Sequence, residues 1–252
     1  VPVYVTCSVG FCLAGRTPDP TGTALYQAAI IASDAAWQSG PGAIRNYAPD
    51  LGQTDGGVAP DRDLLEAALD QGQIRAHFQP QVATATGEIS GFEALARWHH
   101  PDGGLVPPAV FLPALEEAGL LEKLGAVILH DALQALARWD RAGLTVPRVS
   151  VNFCAEELRS PQLADRIKWA LDRFNLNPER LTIEILETVI TRTDDDVIVR
   201  NIAALSALGC GIDLDDFGKG PASLTSIRRF KLRRLKIDRS FITRINEDPD
   251  QQ

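Results

Sequence analysis

The chain has 252 residues, of which 45% are hydrophobic and 23% are charged, and its formal net charge is −8 at pH 7. This composition is typical of a globular protein. The acidic balance argues against binding to a nucleic acid polymer or an anionic membrane, because either would require a basic patch. No apolar run reaches the roughly 18 residues of a membrane-spanning helix, so we expect no membrane contact from this segment. We expect a cytoplasmic location, which includes the cytoplasmic part of a membrane-anchored protein.

Cysteine usage fits a reducing compartment. Cys7, Cys12, Cys154 and Cys210 lack the spacing typical of metal ligands, and three of them lie in apolar, strand-like runs. We therefore expect reduced and buried cysteines. The chain begins at Val1 and contains no Met, which predicts a piece of a longer protein with further domains.

The first 48 residues predict a small α+β unit. Residues 3–13 alternate like a strand, residues 21–37 form an Ala-rich helical run, and residues 43–47 predict a short last strand. This unit is too short to bury a core of its own. Residues 49–61 are rich in Gly and Pro, which is typical of a linker.

From residue 62 onward the pattern predicts a β/α domain with a parallel sheet, because strands alternate with helices. A helix over 61–72 opens this domain. The predicted strands are 76–83, 89–98, 147–153, 180–186, 210–215 and 233–238. The predicted later helices are 108–118, 121–142, 161–175, 194–208 and 223–230. Only five residues separate the first two strands, so we expect an antiparallel hairpin there.

Each predicted strand has one apolar and one polar face. In the stretch 91–98, Glu93 and Arg97 share one face, and Phe92 and Trp98 share the other. A lone buried Glu is costly unless it is paired or binds a metal ion. The same alternation in all six strands predicts a TIM-like (β/α)8 barrel with an antiparallel first strand, in which the polar faces line the interior and the C-terminal mouth holds the site. Six of the eight strands would be present and the last two absent.

The polar faces supply a set of oxygen ligands to that mouth. Hard oxygen ligands without His or Cys select Mg²⁺ or Mn²⁺, and two such ions are the usual arrangement for phosphoryl chemistry. The alternative is that these acids are ion-paired or face solvent. The candidate metal ligands are Glu93, Asn152, Glu184, Asp215 and Asp216. Lys236 is a nearby cation, and Gln79 and Arg97 are nearby hydrogen-bonding groups.

Six separated motifs resemble the EAL-domain phosphodiesterases of bacterial cyclic-di-GMP signalling, in order and in spacing, from about residue 62 to the end. The motifs are Gln79-Pro80, Glu93-Ala94-Leu95 with Arg97-Trp98, Asn152, Glu184-Ile185-Leu186-Glu187, Asp215-Asp216-Phe217-Gly218 and Lys236-Ile237-Asp238-Arg239.

The resemblance implies a metal-dependent hydrolase that converts cyclic-di-GMP to linear pGpG. It implies that the five candidate ligands hold two Mg²⁺ or Mn²⁺ ions and that Lys236 stabilises and orients the attacking water. It further implies that Gln79 and Arg97 contact the substrate and that Glu187 braces the loop after the fifth strand. The resemblance is also compatible with a homodimer.

Some residues depart from the family's usual pattern. Lys219 replaces a small residue, Pro221 and Ala222 replace an aromatic residue and a Ser, and Leu186 replaces a Thr. These departures leave an alternative open, namely a weak or inactive domain that acts as a cyclic-di-GMP receptor. Residues 1–48 more weakly resemble the C-terminal part of a diguanylate cyclase (GGDEF) domain, without that domain's signature loop.

Overall fold

Two short parallel strands and one long helix form the N-terminal part of the chain. The computed structural model describes residues 7–17, 21–38, 42–48, 61–101, 104–191, 196–218, 230–238 and 241–242. Strand β1 (Val9–Phe11) pairs in parallel with β2 (Ile44–Asn46), and α1 (Gly22–Gln38) connects them after a 3-10 turn. The helix and both strands were predicted, but residues 3–6 of the first predicted strand lie outside the described residues.

The main sheet is mixed and has seven strands among the described residues, hydrogen-bonded in the order β3-β4-β6-β7-β8-β9, with β5 paired to the C-terminal end of β4. Pairs β3/β4 and β4/β5 are antiparallel, and the remaining pairs are parallel. The strands are β3 (Ile74–Val82), β4 (Ile89–His100), β5 (Gly104–Val106), β6 (Val149–Phe153), β7 (Leu181–Leu186), β8 (Gly211–Phe217) and β9 (Arg234–Ile237). The six predicted strands and the predicted hairpin are confirmed, and β5 is an addition.

Helices lie between the parallel strands, as predicted. They are α2 (Arg62–Asp70), α3 (Pro108–Glu117), α4 (Leu121–Arg141), α5 (Ala155–Leu158), α6 (Leu163–Phe174), α7 (Glu187–Thr191) and α8 (Asp196–Leu208). Capping residues set the ends of two of these helices. The Asp61 side chain accepts a hydrogen bond from the Leu64 amide at 2.8 Å at the start of α2. Asn175, with φ 54°, ends α6. The predicted helix 223–230 lies almost entirely outside the described residues.

The apolar faces of the strands form the core together with the helices. Val149, Val151, Ile183 and Ile212 are almost completely buried. Burial of such side chains contributes about 1.5–3 kcal/mol each, which makes this face the main source of stability. Because side chains alternate along a strand, the same pairing turns the polar residues of each strand away from the helices.

Polar side chains on the other face are buried too. Ser150 and Asp213 have no exposed surface. Arg234 of β9 donates to Asp213 at 2.7 Å and also to Gln81 of β3 at 3.0 Å. Gln81 in turn donates to Ser150 at 3.4 Å. Arg234 thus connects the last strand of the described sheet to the first, so the sheet curves around its polar face.

Two further sequence expectations have different outcomes. None of the helices in the described part of the chain could cross a membrane, judged by length and hydropathy. The expectation of buried cysteines is wrong in part: Cys210 is buried, Cys12 and Cys154 are partly buried, and Cys7 is exposed. Cys154 does not continue a strand but precedes α5 as its N-cap residue, which places its side chain at a helix terminus rather than in the core.

Candidate functional site

Three carboxylates from three strands meet at the polar side of the sheet. Glu93 lies on β4, Glu184 on β7 and Asp215 on β8, and each offers an oxygen within 4.8 Å of the other two. The register of the parallel strands accounts for this convergence. Glu184 of β7 pairs with Asn152 of the neighbouring strand β6, and Leu186 of β7 pairs with Asp215 of β8, so Glu184 and Asp215 lie at the same end of adjacent strands. We call these three residues the acidic cluster.

Lys236 of β9 lies between the members of the acidic cluster. Its ammonium nitrogen is 2.7 Å from Glu184 Oε2, 2.9 Å from Glu93 Oε2 and 3.0 Å from Asp215 Oδ2. The side chain of Glu184 has no exposed surface, and the other three side chains are 16–26% exposed. Within the described residues, three carboxyl groups therefore share one ammonium group.

Burial and mutual repulsion alter the protonation of this cluster. Burial, followed by the charge of Glu93, raises the pKa of Glu184 to about 7, although Lys236 opposes the shift. Burial by itself lowers the pKa of Lys236, but its hydrogen bonds and charge interactions with the carboxylates, Glu184 first, raise that pKa overall. Lys236 thus remains a cation, while Glu184 is a carboxylate that needs further positive charge to stay fully ionised at neutral pH.

Asn152 and Asp216 occupy different positions relative to the acidic cluster. Asn152 donates its amide N–H to Glu93 Oε1 at 3.2 Å, a hydrogen bond that does not use its carbonyl oxygen. Asp216 follows Asp215 with φ 54°, in the left-handed region, and its backbone N–H donates to Asp215 Oδ1 at 2.9 Å. The structure brings Asn152 into direct contact with the acidic cluster, whereas the carboxylate of Asp216 lies outside the group of three.

Glu187 connects the first turn of α7 to the end of β8. It is 2% exposed, and its Oε2 accepts a hydrogen bond of 2.7 Å from the backbone N–H of Gly218. Gly218 has φ 105°, a conformation that residues with a Cβ rarely adopt. The side chain therefore holds the chain just after Asp215 and Asp216, in a turn that glycine permits.

Gln79 and Arg97 flank the acidic cluster on the β3/β4 hairpin. Gln79 pairs with Glu93 in the strand register and is exposed. The Arg97 guanidinium donates to the carbonyl of Ala96 at 2.8 Å and borders a neighbouring cavity of about 330 Å³. This cavity is lined mainly by apolar side chains of β4, α3 and α4, and Asn152 lies at its wall.

Sequence reasoning missed two groups next to the site. The carboxylate of Glu157 lines the cavity and accepts a hydrogen bond from the backbone N–H of Cys154 at 3.1 Å. Its spacing of three residues after Cys154 was a usable signal, because it matches the capping-box pattern with Cys in place of Ser. The ion pair of Asp213 with Arg234 was also missed; Asp213 lies two residues before Asp215 and therefore on the same face.

Comparison with known proteins gives a consistent family assignment. The sequence model of the EAL domain matches residues 62–252. The chain is 31% identical over its whole length to the cyclic di-GMP phosphodiesterase PdeR of Escherichia coli strain K12, covering 38% of that protein. It is 38% identical to the bifunctional diguanylate cyclase/cyclic di-GMP phosphodiesterase MucR of Pseudomonas aeruginosa over 74% of this chain and 27% of MucR. The chain thus spans well under half of either relative.

Solved structures agree with these matches. The PaMucR phosphodiesterase in complex with c-di-GMP superposes with a TM-score of 0.69 at 37% identity, over 74% of this chain and 75% of that chain. The FimX EAL domain from Pseudomonas aeruginosa bound to c-di-GMP gives a TM-score of 0.62 at 28% identity, over 73% of each chain.

Proposed function

Because the chain belongs to the EAL-domain family, we propose that it hydrolyses cyclic-di-GMP to linear pGpG and requires Mg²⁺ or Mn²⁺ for this reaction. The observation that carries the proposal is the convergence of Glu93, Glu184 and Asp215 around Lys236, since these side chains come from four strands and match the family's motifs in order. Two relatives named as cyclic di-GMP phosphodiesterases support it.

The donor set of the site fits divalent cations. When ionised, the three carboxylates carry two more negative charges than Lys236 compensates, and Oε1 of Glu184 is buried without a hydrogen-bond partner among the described residues. Oxygen donors alone favour Mg²⁺ or Mn²⁺ over transition metals that prefer nitrogen or sulfur. We propose that two such ions are held by Glu93, Asn152, Glu184, Asp215 and Asp216. When bound, they would supply Lewis-acid polarisation of a phosphodiester and a water of lowered pKa.

The side chains around this centre have separate roles in the proposed reaction. Water adds to one phosphorus, the bond from that phosphorus to the ribose 3′ oxygen breaks, and a 3′ hydroxyl and a 5′ phosphate result. Lys236, an ammonium fixed by three hydrogen bonds, orients the attacking water and offsets developing negative charge. Arg97 and Gln79 contact the substrate, and Glu187 keeps the Asp215–Gly218 turn in place.

The domain organisation forms part of the same proposal. We propose that residues 62–252 contribute to a (β/α)8 barrel of EAL type, which the Arg234–Gln81 contact between the first and last strands of the described sheet supports. Residues 1–48 are proposed to be the end of a GGDEF-like domain, joined through a linker over 49–61. Of the departures from the family pattern, Lys219, Pro221 and Ala222 lie outside the described residues, whereas Leu186 ends β7 and borders the cavity of about 330 Å³.

A hydrolysis assay with a matched control tests the function. The full-length protein with Mg²⁺ and cyclic-di-GMP should yield pGpG, and Glu93→Ala should lower kcat/KM at least about 100-fold. Glu88→Ala removes an exposed carboxylate from the same hairpin and should leave the rate unchanged. Binding of labelled cyclic-di-GMP without cleavage by the wild-type protein would instead favour the receptor function, and unchanged cleavage by Glu93→Ala would refute the site.

A further inference from the structure

Two histidines on the β3/β4 hairpin meet outside the acidic cluster. Nε2 of His77 on β3 lies 2.8 Å from Nε2 of His99 on β4, and the two ring centroids are 5.0 Å apart. Their contact is exposed to solvent. His77 lies on the same face of β3 as Gln79, because side chains alternate along a strand. His99 likewise lies on the same face of β4 as Glu93 and Arg97.

The surroundings disfavour protonation of His77. Burial, then the charges of His99 and Arg97, lower the pKa of His77. Two imidazolium groups at this distance would repel each other, so at neutral pH at least one ring is neutral and offers a lone pair. A contact of two ring nitrogens accommodates either one shared proton or one shared cation.

We propose that His77 and His99 together bind one transition metal ion of the Zn²⁺, Ni²⁺ or Cu²⁺ class, at a site separate from the acidic cluster. Tetrahedral Zn²⁺ with Zn–N bonds of 2.0–2.1 Å needs its two nitrogens about 3.3 Å apart. From their 2.8 Å contact the two nitrogens would have to separate by about 0.5 Å, and both exposed rings would have to turn so that the two lone pairs point to one ion; water completes the coordination because the pair is exposed.

The histidine pair and the acidic cluster select different ions. Imidazole nitrogen prefers Zn²⁺, Ni²⁺ and Cu²⁺, whereas the carboxylates of Glu93, Glu184 and Asp215 prefer Mg²⁺ or Mn²⁺. Excess Mg²⁺ should therefore not displace an ion from the histidine pair. The nearby Arg97 guanidinium repels a cation and limits the affinity, which makes the site suited to reversible occupancy. This inference does not depend on the proposed hydrolysis.

Metal titration of the full-length protein without an affinity tag tests the site. With Zn²⁺ as the probe in excess Mg²⁺, calorimetry should detect one equivalent of Zn²⁺ bound to the wild type. The affinity for this Zn²⁺ should fall at least tenfold in His77→Gln and in His99→Gln. His130→Gln is the matched control, because His130 lies on α4 and packs edge-to-face on Phe174 with centroids 5.3 Å apart. The control should bind Zn²⁺ like the wild type.

A second readout separates the pair from the carboxylates. Cu²⁺ bound to the wild type should show nitrogen hyperfine structure in electron paramagnetic resonance, and this signal should persist in Glu184→Gln but weaken in His99→Gln. The proposal is overturned if His77→Gln and His99→Gln bind Zn²⁺ as the wild type does. It is also overturned if the bound equivalent of Zn²⁺ is lost in Glu184→Gln but kept in both histidine variants. Both histidine variants alter exposed side chains, so unchanged thermal unfolding should confirm that they fold.

Discussion

The ammonium of Lys236 lies 2.7 Å from Oε2 of Glu184, a side chain with no exposed surface. The contact joins β9 to β7, and the same ammonium also reaches Glu93 and Asp215. Removing one partner of a buried ion pair is costly because the other charge stays buried without compensation. Lys236 is therefore expected to stabilise the fold as well as to take part in the proposed reaction.

Lys236→Met should lower the free energy of unfolding by about 3 kcal/mol without divalent ions, and millimolar Mg²⁺ should restore part of that loss, since a bound cation replaces the missing charge. Hydrolysis should stay at least about 100-fold below wild type even with Mg²⁺. Denaturant unfolding with and without Mg²⁺, together with the pGpG assay, measures both effects. The control is Lys168→Met on α6, which breaks an exposed pair with Asp172 and should change neither quantity. Equal stability of Lys236→Met and wild type without Mg²⁺ would contradict the prediction.

Asp216 allows charge and backbone conformation to be tested separately. Its φ of 54° is tolerated by Asn and Gly but costs a residue such as Ala about 1 kcal/mol. We expect Asp216→Asn and Asp216→Gly to unfold near the wild-type temperature, and Asp216→Ala to be less stable. If Asp216 is a metal ligand, all three should bind Mn²⁺ at least tenfold more weakly, as measured by calorimetry. Wild-type Mn²⁺ affinity in Asp216→Asn would exclude it from the ligand set.

Glu187 supports the turn after β8 through its contact with the Gly218 amide. Glu187→Ala leaves that N–H without its acceptor, and a hydrogen bond to a charged group contributes about 1.5–3 kcal/mol. Glu187→Gln keeps an acceptor oxygen and should lose less. We expect kcat to fall in the order wild type, Glu187→Gln, Glu187→Ala, while the KM for cyclic-di-GMP changes little. A large increase in KM with unchanged kcat would instead place Glu187 at the substrate.

Local periodicity was enough to predict the strand faces of the candidate site. Glu184 alternates with the buried Ile183 and Ile185, so its position on the polar face follows from the pleat. The antiparallel hairpin followed from a connection too short for a helix. Both inferences use only neighbours in sequence, which is why they agree with the structure.

Contacts across the sheet could not be predicted in this way. Lys236 meets Glu93 from 143 positions away, and no local pattern encodes that distance. His77 and His99 are not paired in the strand register, so their contact depends on side-chain reach. Strand β5 has three residues, too few to show a period. The two side-chain contacts depend on how the strands assemble in the sheet, which local periodicity does not encode.

Glu157 should make stability depend on pH. Burial raises its pKa to about 7 from the usual 4.5, despite the opposing hydrogen bond from the Cys154 amide. Between pH 4.5 and 7 the folded protein keeps a proton on Glu157 that the unfolded chain has released. The free energy of unfolding should therefore fall by about 3 kcal/mol over this range because of Glu157, and then level off. Glu157→Gln keeps the capping acceptor and should remove this contribution, whereas Glu156→Gln, on the exposed side of α5, should retain it. Denaturant unfolding at several pH values measures the slopes, and an identical slope for wild type and Glu157→Gln would show that folding does not raise the pKa of Glu157.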